Sequence, residues 1–266
     1  MADSPSGASQ DVEKLVQTLM ELDLPVQDKL LLLRKSLQVK IVHFARSAPY
    51  ELVAPALQRS EEAVRDAVLS LIGRQEADVD VEQLYLPSCM GGLGLQRLTG
   101  FEGVVCKAEY IAAASLTQKA LEGRHPSFMP LTTSSDLIST YWSEATAFGA
   151  MSEAIDIRSA HDLGFLKKLQ PSAGNCAKDK LHTQLLQKYE VQLADDATRV
   201  QAQEHLARLH SLQEGVGTSW HEVRPGKDQW ELDDATMQSA LRFMLGISPG
   251  PHQNSSFNCT CGPPGQ

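Results

Sequence analysis

The sequence predicts an all-α protein, a thumb-like helical bundle followed by a second helical subdomain, with disordered ends. Three observations carry that reading. Apolar residues recur at three- and four-residue spacing through most of the chain. Sustained two-residue alternation, the mark of a strand, is confined to a few valines between 75 and 83. Glycine and proline cluster between the periodic segments instead of within them.

Residues 1–9 are small, polar and Pro/Gly-bearing, which predicts a disordered leader ahead of a first helical domain at 10–122. From Asp11, Leu15, Leu19 and Leu22 repeat at helical spacing with Val12, Val16 and Met20 filling in. Asp11 and Glu13 sit where carboxylates favour the helix dipole, and Pro25 ends the element. The next helix spans about 26–45, with Leu30, Leu33, Leu37, Ile41 and Phe44 as its buried stripe. Pro49 and Pro55 bracket a break. Ser60 then caps a helix whose stripe is Val64, Val68, Leu71 and Ile72 and whose stop is Gly73. The acidic stretch 75–83 reads as a solvated connector.

That connector leads to Leu86-Pro87-Ser88-Cys89-Met90-Gly91-Gly92-Leu93-Gly94-Leu95. Pro87 biases Leu86 toward an extended backbone and halts any arriving helix. Gly91, Gly92 and Gly94 permit positive φ or close approach of another chain segment. This reads as an inter-helix connector. A phosphate cradle is the alternative, but the spacing is not G-x-G-x-x-G and no Gly-Lys-Ser/Thr follows.

The alanine-rich run 101–121 predicts a closely packed helix, with Cys106 a packing residue; Cys89, in the turn, has no evident partner in the sequence. Residues 123–130, with Pro126 and Pro130, form the predicted linker to a second helical domain at 131–246. There Ser135 caps a helix holding Leu137, Ile138, Tyr141, Trp142 and Phe148, residues 151–169 read as interrupted helix, and 171–175 as a loop. A polar-rich helical stretch runs from Lys178 to about Leu212, and Asp233 caps a last helix that Gly246 stops. Residues 247–266 form a flexible tail.

Composition narrows the function classes. A formal net charge of −9 counts against a dominant nucleic-acid surface. It leaves room for a local one, because Lys29, Arg34, Lys35, Lys40 and Arg46 fall close together. On residue patterning alone, their plain reading is the solvated face of an amphipathic helix. No apolar run is long enough for a membrane span, and the start lacks a secretory signal pattern. Five scattered cysteines argue for a reducing compartment, so the expected location is intracellular, cytoplasmic or nuclear.

The Leu86-Pro87…Gly91-Gly92-Leu93-Gly94-Leu95 element resembles a motif downstream of the polymerase palm in reverse transcriptases of non-LTR retrotransposons. Its neighbours agree in order. Leu24-Pro25 through Leu37, with His43-Phe44-Ala45-Arg46, resembles the family's first thumb helix. Trp220, Pro225, Ala240-Leu241-Arg242, Leu245-Gly246 and Cys259-Thr260-Cys261-Gly262 resemble its approach to a terminal zinc-binding segment. The resemblance implies a non-catalytic fragment or degenerate copy of an RNA-directed DNA polymerase: thumb and connector, without the palm. It implies an RNA or DNA duplex as partner, gripped through Lys29, Arg34, Lys35, Lys40 and Arg46. The alternative is a helical protein–protein interaction scaffold with no nucleic-acid role, which the acidic balance supports.

Asp195-Asp196 looks like the paired metal-binding carboxylates of such polymerases, but Leu193 replaces the expected aromatic and the pair follows the glycine element instead of preceding it. It reads as a cap and dipole pair, as does Asp233-Asp234. Cys259 and Cys261 supply half of a four-ligand zinc site, so no cofactor is expected beyond zinc at that incomplete site. No nucleophile–base spacing, H-E-x-x-H or G-x-S-x-G motif is present, and the protein is not expected to be an enzyme.

Overall fold

The computed structural model describes residues 5–74, 79–122, 132–150, 163–213 and 232–247. It is all-α, with no strand among the described residues. Helix α1 spans Pro5–Glu21 and α2 Val26–Leu32, followed by a π-helical turn at Leu33–Leu37 and α3 at Gln38–Ser47. Helix α4 spans Tyr50–Ile72, α5 Val81–Leu84, α6 Gly100–Glu122 and α7 Thr132–Ala147. Helices α8, Leu163–Gln192, α9, Arg199–Gln213, and α10, Asp234–Met244, complete the order.

Helix α6 is the centre of the packing, contacting α3, α4, α7 and α8, while α1 lies along α4. Its small residues make this approach close: Val104, Val105, Cys106, Ala108, Ile111 and Ala112 are all buried. Burial pushes the Cys106 thiol up to about 12, as suits a packing residue. One buried apolar cluster runs from Val12 to Ile247 and takes in residues on both sides of the expected domain division. The predicted linker, 123–130, lies outside the described residues.

Several local expectations are corrected. The predicted leader contributes residues 5–9 to α1. The break between Pro49 and Pro55 is absent: α4 begins at Tyr50 and runs on through Pro55, although the ring removes the donor that would reach the Glu51 carbonyl. Ser60 is therefore no cap but a buried mid-helix residue whose hydroxyl donates to the Ala56 carbonyl at 2.9 Å. Ser135 likewise falls inside α7, which starts at Thr132.

The loop expected at 171–175 is helix, since α8 passes through Pro171. Tertiary anchors hold it there. Ala173 is fully buried, and the Ser172 hydroxyl donates to the Ala150 carbonyl at 2.7 Å. The single stretch expected from 178 to 212 divides at 193–198 into α8 and α9. The stops at Gly73 (φ +69°) and Gly246 (φ +72°) and the cap at Asp233, which accepts from the Thr236 N–H at 2.9 Å, stand as read.

Helix α6 opens on Phe101, Glu102 and Gly103, three consecutive left-handed residues. For Phe101 and Glu102 this costs about 1–2 kcal/mol each. Gly103 leaves room for the Tyr50 ring, which a Cβ would strike. The preceding residues are pinned. The buried Glu61 carboxylate accepts from the Leu98 and Thr99 N–H groups, and the Tyr50 hydroxyl approaches the Thr99 carbonyl at 3.4 Å.

Candidate nucleic-acid interface

The basic helix and the glycine turn, read separately from the sequence, meet in the structure. Leu30, Leu33, Leu37 and Ile41 bury the expected stripe of the α2–α3 segment. A π-turn gives each residue a smaller rotation than an α-turn, so Arg34 swings inward at Leu33–Leu37. Its side chain is buried, and the guanidinium lies over Gly94, Nη2 2.8 Å from the site of a would-be Cβ.

The five predicted cations therefore separate. Arg34 supports the turn. The half-buried Lys29 donates to the Met20 carbonyl at 2.9 Å, fastening α2 to α1. Arg46 keeps part of its surface but pairs with Glu109 on α6 at 2.7 Å. The Glu109 side chain is only 2% exposed, and burial raises its carboxyl's pKa while Arg46 pulls it back. Lys35 and Lys40 are exposed. With Leu32, Ser36, Val39, His43 and Arg46 they form one exposed row along the segment. The chain from Lys29 to Pro49 holds no acidic residue.

The turn itself is tied down from several directions. Ser88–Met90 make one 3-10 turn after Pro87, and Gly91 follows at φ +82°. The Gly94 N–H donates to the Leu86 carbonyl at 2.7 Å, and the Leu95 N–H to the Leu84 carbonyl at 3.1 Å. Gly92 packs so tightly that a Cβ would overlap the Leu86 and Gln83 carbonyl oxygens. Gly91 faces Leu209 and Leu212 of α9. The buried Gln83 amide donates to the Gly91 carbonyl at 2.6 Å and to the Met244 carbonyl of α10 at 3.0 Å. Gln83 thus departs from its expected place in a solvated connector. Its role carried no local signal, since one partner is 161 residues away.

A turn whose amides and carbonyls are bonded to its own flanks serves as a connector, and its N–H groups at Gly92, Gly94 and Leu95 are already donating. Asp195 and Asp196 lie between α8 and α9. Asp195 accepts from the Ala197 N–H at 3.2 Å and the Thr198 hydroxyl at 3.0 Å, and Asp196 pairs with Arg199 at 2.5 Å. Asp234 accepts from the Val26 N–H at 2.8 Å and so caps α2 from a distance. No group of three metal-ligating side chains occurs among the described residues, and Cys259 and Cys261 lie outside them. No described helix is long and apolar enough to cross a membrane.

Comparison with known proteins adds no relative: no family model matches the chain, and neither does any curated protein or solved structure.

Proposed function

We propose that the chain is a non-catalytic, thumb-like helical protein that contacts the phosphate backbone of an RNA or DNA duplex through the outer face of α2–α3, as the retroelement resemblance implies. The observation that supports this reading is the exposed row of Lys35, Lys40 and Arg46, with His43 between them, in a segment free of acid. In a chain of net charge −9 the sequence from Lys29 to Pro49 carries no acid of its own, and Lys35 and Lys40 leave a local site for an anion, with Arg46 shared with Glu109 at its end. Arg34 and Lys29 act as supports for that face and not as phosphate ligands.

The test is fluorescence anisotropy of a labelled RNA–DNA primer–template titrated with the whole chain at increasing salt. Two or three phosphate contacts give a log–log salt slope of about −2. Lys35→Glu with Lys40→Glu is the informative variant, because both side chains are exposed and their loss leaves the core intact. It should weaken binding about tenfold or more at low salt. Binding that is absent at low salt, or that the double variant leaves unchanged, overturns the proposal. So does primer extension by the purified chain with magnesium, for the non-catalytic part.

A second reading, a helical interaction scaffold, is favoured by Leu32 and Val39, exposed in the same row, and by Phe243, 68% exposed on α10. A protein partner would desolvate these side chains, and its binding would show little salt dependence.

A further inference from the structure

Between the segment 95–98 and helix α8 lies a cavity of about 70 Å³, open to solvent on one side. Its walls are mainly apolar: Leu95, Leu98, Val105, Ala177 and Leu181, with Phe101 and Tyr85 contributing rings. Three features distinguish it from an ordinary packing defect.

First, its charged lining is of one sign. Arg97 and Lys178 border it, and none of its described lining side chains is acidic. Arg97 is engaged, paired with Glu82 and set over the Tyr85 ring at 5.4 Å. The half-buried Lys178 has no hydrogen-bond or ion-pair partner among the described residues. Second, Gly174 on α8 also lines it, and a Cβ built there would meet no atom within 4 Å. A glycine in mid-helix costs stability relative to alanine, and here its effect is to leave the cavity unfilled. Third, Phe101 reaches the wall from a left-handed backbone, φ 51° and ψ 49°, held by the Glu61 and Tyr50 contacts just upstream. Backbone strain of this kind persists where the surroundings impose it and is concentrated at ligand clamps.

We propose that this cavity is a binding site for a short branched-chain carboxylate, its alkyl end among Leu95, Val105 and Leu181 and its carboxylate on Lys178. The volume suits one branched apolar group. The apolar walls supply the affinity, and the ammonium selects an acid over a neutral analogue. The same chemistry is presented by a free branched-chain acid and by a polypeptide ending in leucine.

The experiment is methyl-detected NMR on the whole chain titrated with 4-methylpentanoate, its alcohol 4-methylpentan-1-ol, and acetyl-alanyl-leucine. The acid should shift the methyls of Leu95, Leu98, Val105 and Leu181 saturably, with a Kd of about 1 mM, as befits so small a ligand. Lys178→Met should weaken the acid about tenfold and leave the alcohol unchanged. Gly174→Leu should remove binding of both while raising helix propensity, with far-UV circular dichroism reporting the retained fold. Tighter binding of the dipeptide than of the free acid assigns the site to a chain end, and weaker binding assigns it to the free acid. The proposal is overturned if the wild type gives no saturable shifts at these methyls. Equal affinity of Lys178→Met for the acid, or unaltered binding by folded Gly174→Leu, overturns it too.

Discussion

The guanidinium of Arg34 takes the space that a side chain on Gly94 would occupy, joining a π-turn in one helix to the glycine turn 60 residues later in the chain, as the two numbers show. The same device recurs twice. Arg242 lies over Gly73, its Nη2 2.6 Å from a would-be Cβ, and donates to the Ile72 carbonyl at 2.8 Å. Arg208 lies over Gly246 and donates to the Met244 carbonyl at 2.5 Å. Each arginine covers a left-handed glycine, and the last two also satisfy a carbonyl at a helix C-terminus.

The glycines of the turn should therefore rank by what a methyl would strike. At Gly94 alanine meets left-handed strain of about 1–2 kcal/mol and the end of one arginine side chain. At Gly92 it meets the carbonyl oxygens of Leu86 and Gln83, which cannot rotate away. Urea unfolding should place Gly94→Ala about 1–3 kcal/mol below wild type and Gly92→Ala lower still. The reverse order would show that the backbone of the turn yields more easily than Arg34.

Gln83 is the second point to probe. Replacing it with leucine keeps the volume but strips the Gly91 carbonyl of its side-chain donor and leaves the Met244 carbonyl to Arg208 alone. One buried acceptor left without a donor should cost about 1–3 kcal/mol. A loss confined to a few tenths, measured by chemical denaturation, would show that water reaches the Gly91 carbonyl in its place.

Much of this fold is legible locally, and the boundary of legibility is physical. The stripe Leu30, Leu33, Leu37 and Ile41, the stops at Gly73 and Gly246 and the cap at Asp233 follow from residues within one helical turn of each other. Pro171 and Ser60 mislead because their local preferences are overridden by packing at Ala173 and around Ala56. The candidate interface was half legible. Charge and period mark Lys35 and Lys40 as surface residues, but not the burial of Arg34, which depends on a partner across the fold. The Val26–Asp234 cap spans 208 positions and has no sequence signature at all.

Acid should loosen the α8–α9 region. His205 stacks on Tyr189 at 4.7 Å and lies 2.6 Å from the Arg208 guanidinium. Burial first, then Arg208, holds its pKa below the ordinary histidine value; burial and His210 do the same for His182. A depressed folded-state pKa gives stability that is present above the unfolded value, about 6.5, and is lost as pH falls toward the folded one. Urea midpoints at about pH 7.5 and 5.5 should drop on acidification, and His205→Gln should flatten part of that drop. An equal drop in the variant would place the acid sensitivity elsewhere.

Glu61 gives a contrast of opposite sign. Its carboxylate accepts from the Leu98 N–H, from the Thr99 N–H at 3.0 Å and from the Thr99 hydroxyl at 2.5 Å. Burial nevertheless raises its pKa, outweighing the hydrogen bonds and the Arg97 charge that lower it. A raised carboxyl pKa means that the folded state binds the proton more tightly, so stability falls as pH rises from about 4.5 through the folded value. Glu61→Gln keeps an oxygen for both backbone N–H groups and turns an amide N–H toward the Thr99 hydroxyl, which can accept. It should fold with stability within about 1 kcal/mol of wild type and lose this part of the pH dependence. Glu61→Ala leaves the Leu98 and Thr99 N–H groups without their acceptor and should cost about 2–4 kcal/mol. Because those groups anchor the left-handed turn at Phe101, the alanine variant should also alter the aromatic signals of Phe101 and of Phe148, 5.2 Å from it, whereas the glutamine variant should not. Equal destabilisation by both substitutions would mean that the negative charge, and not the acceptor geometry, fixes the segment leading into α6.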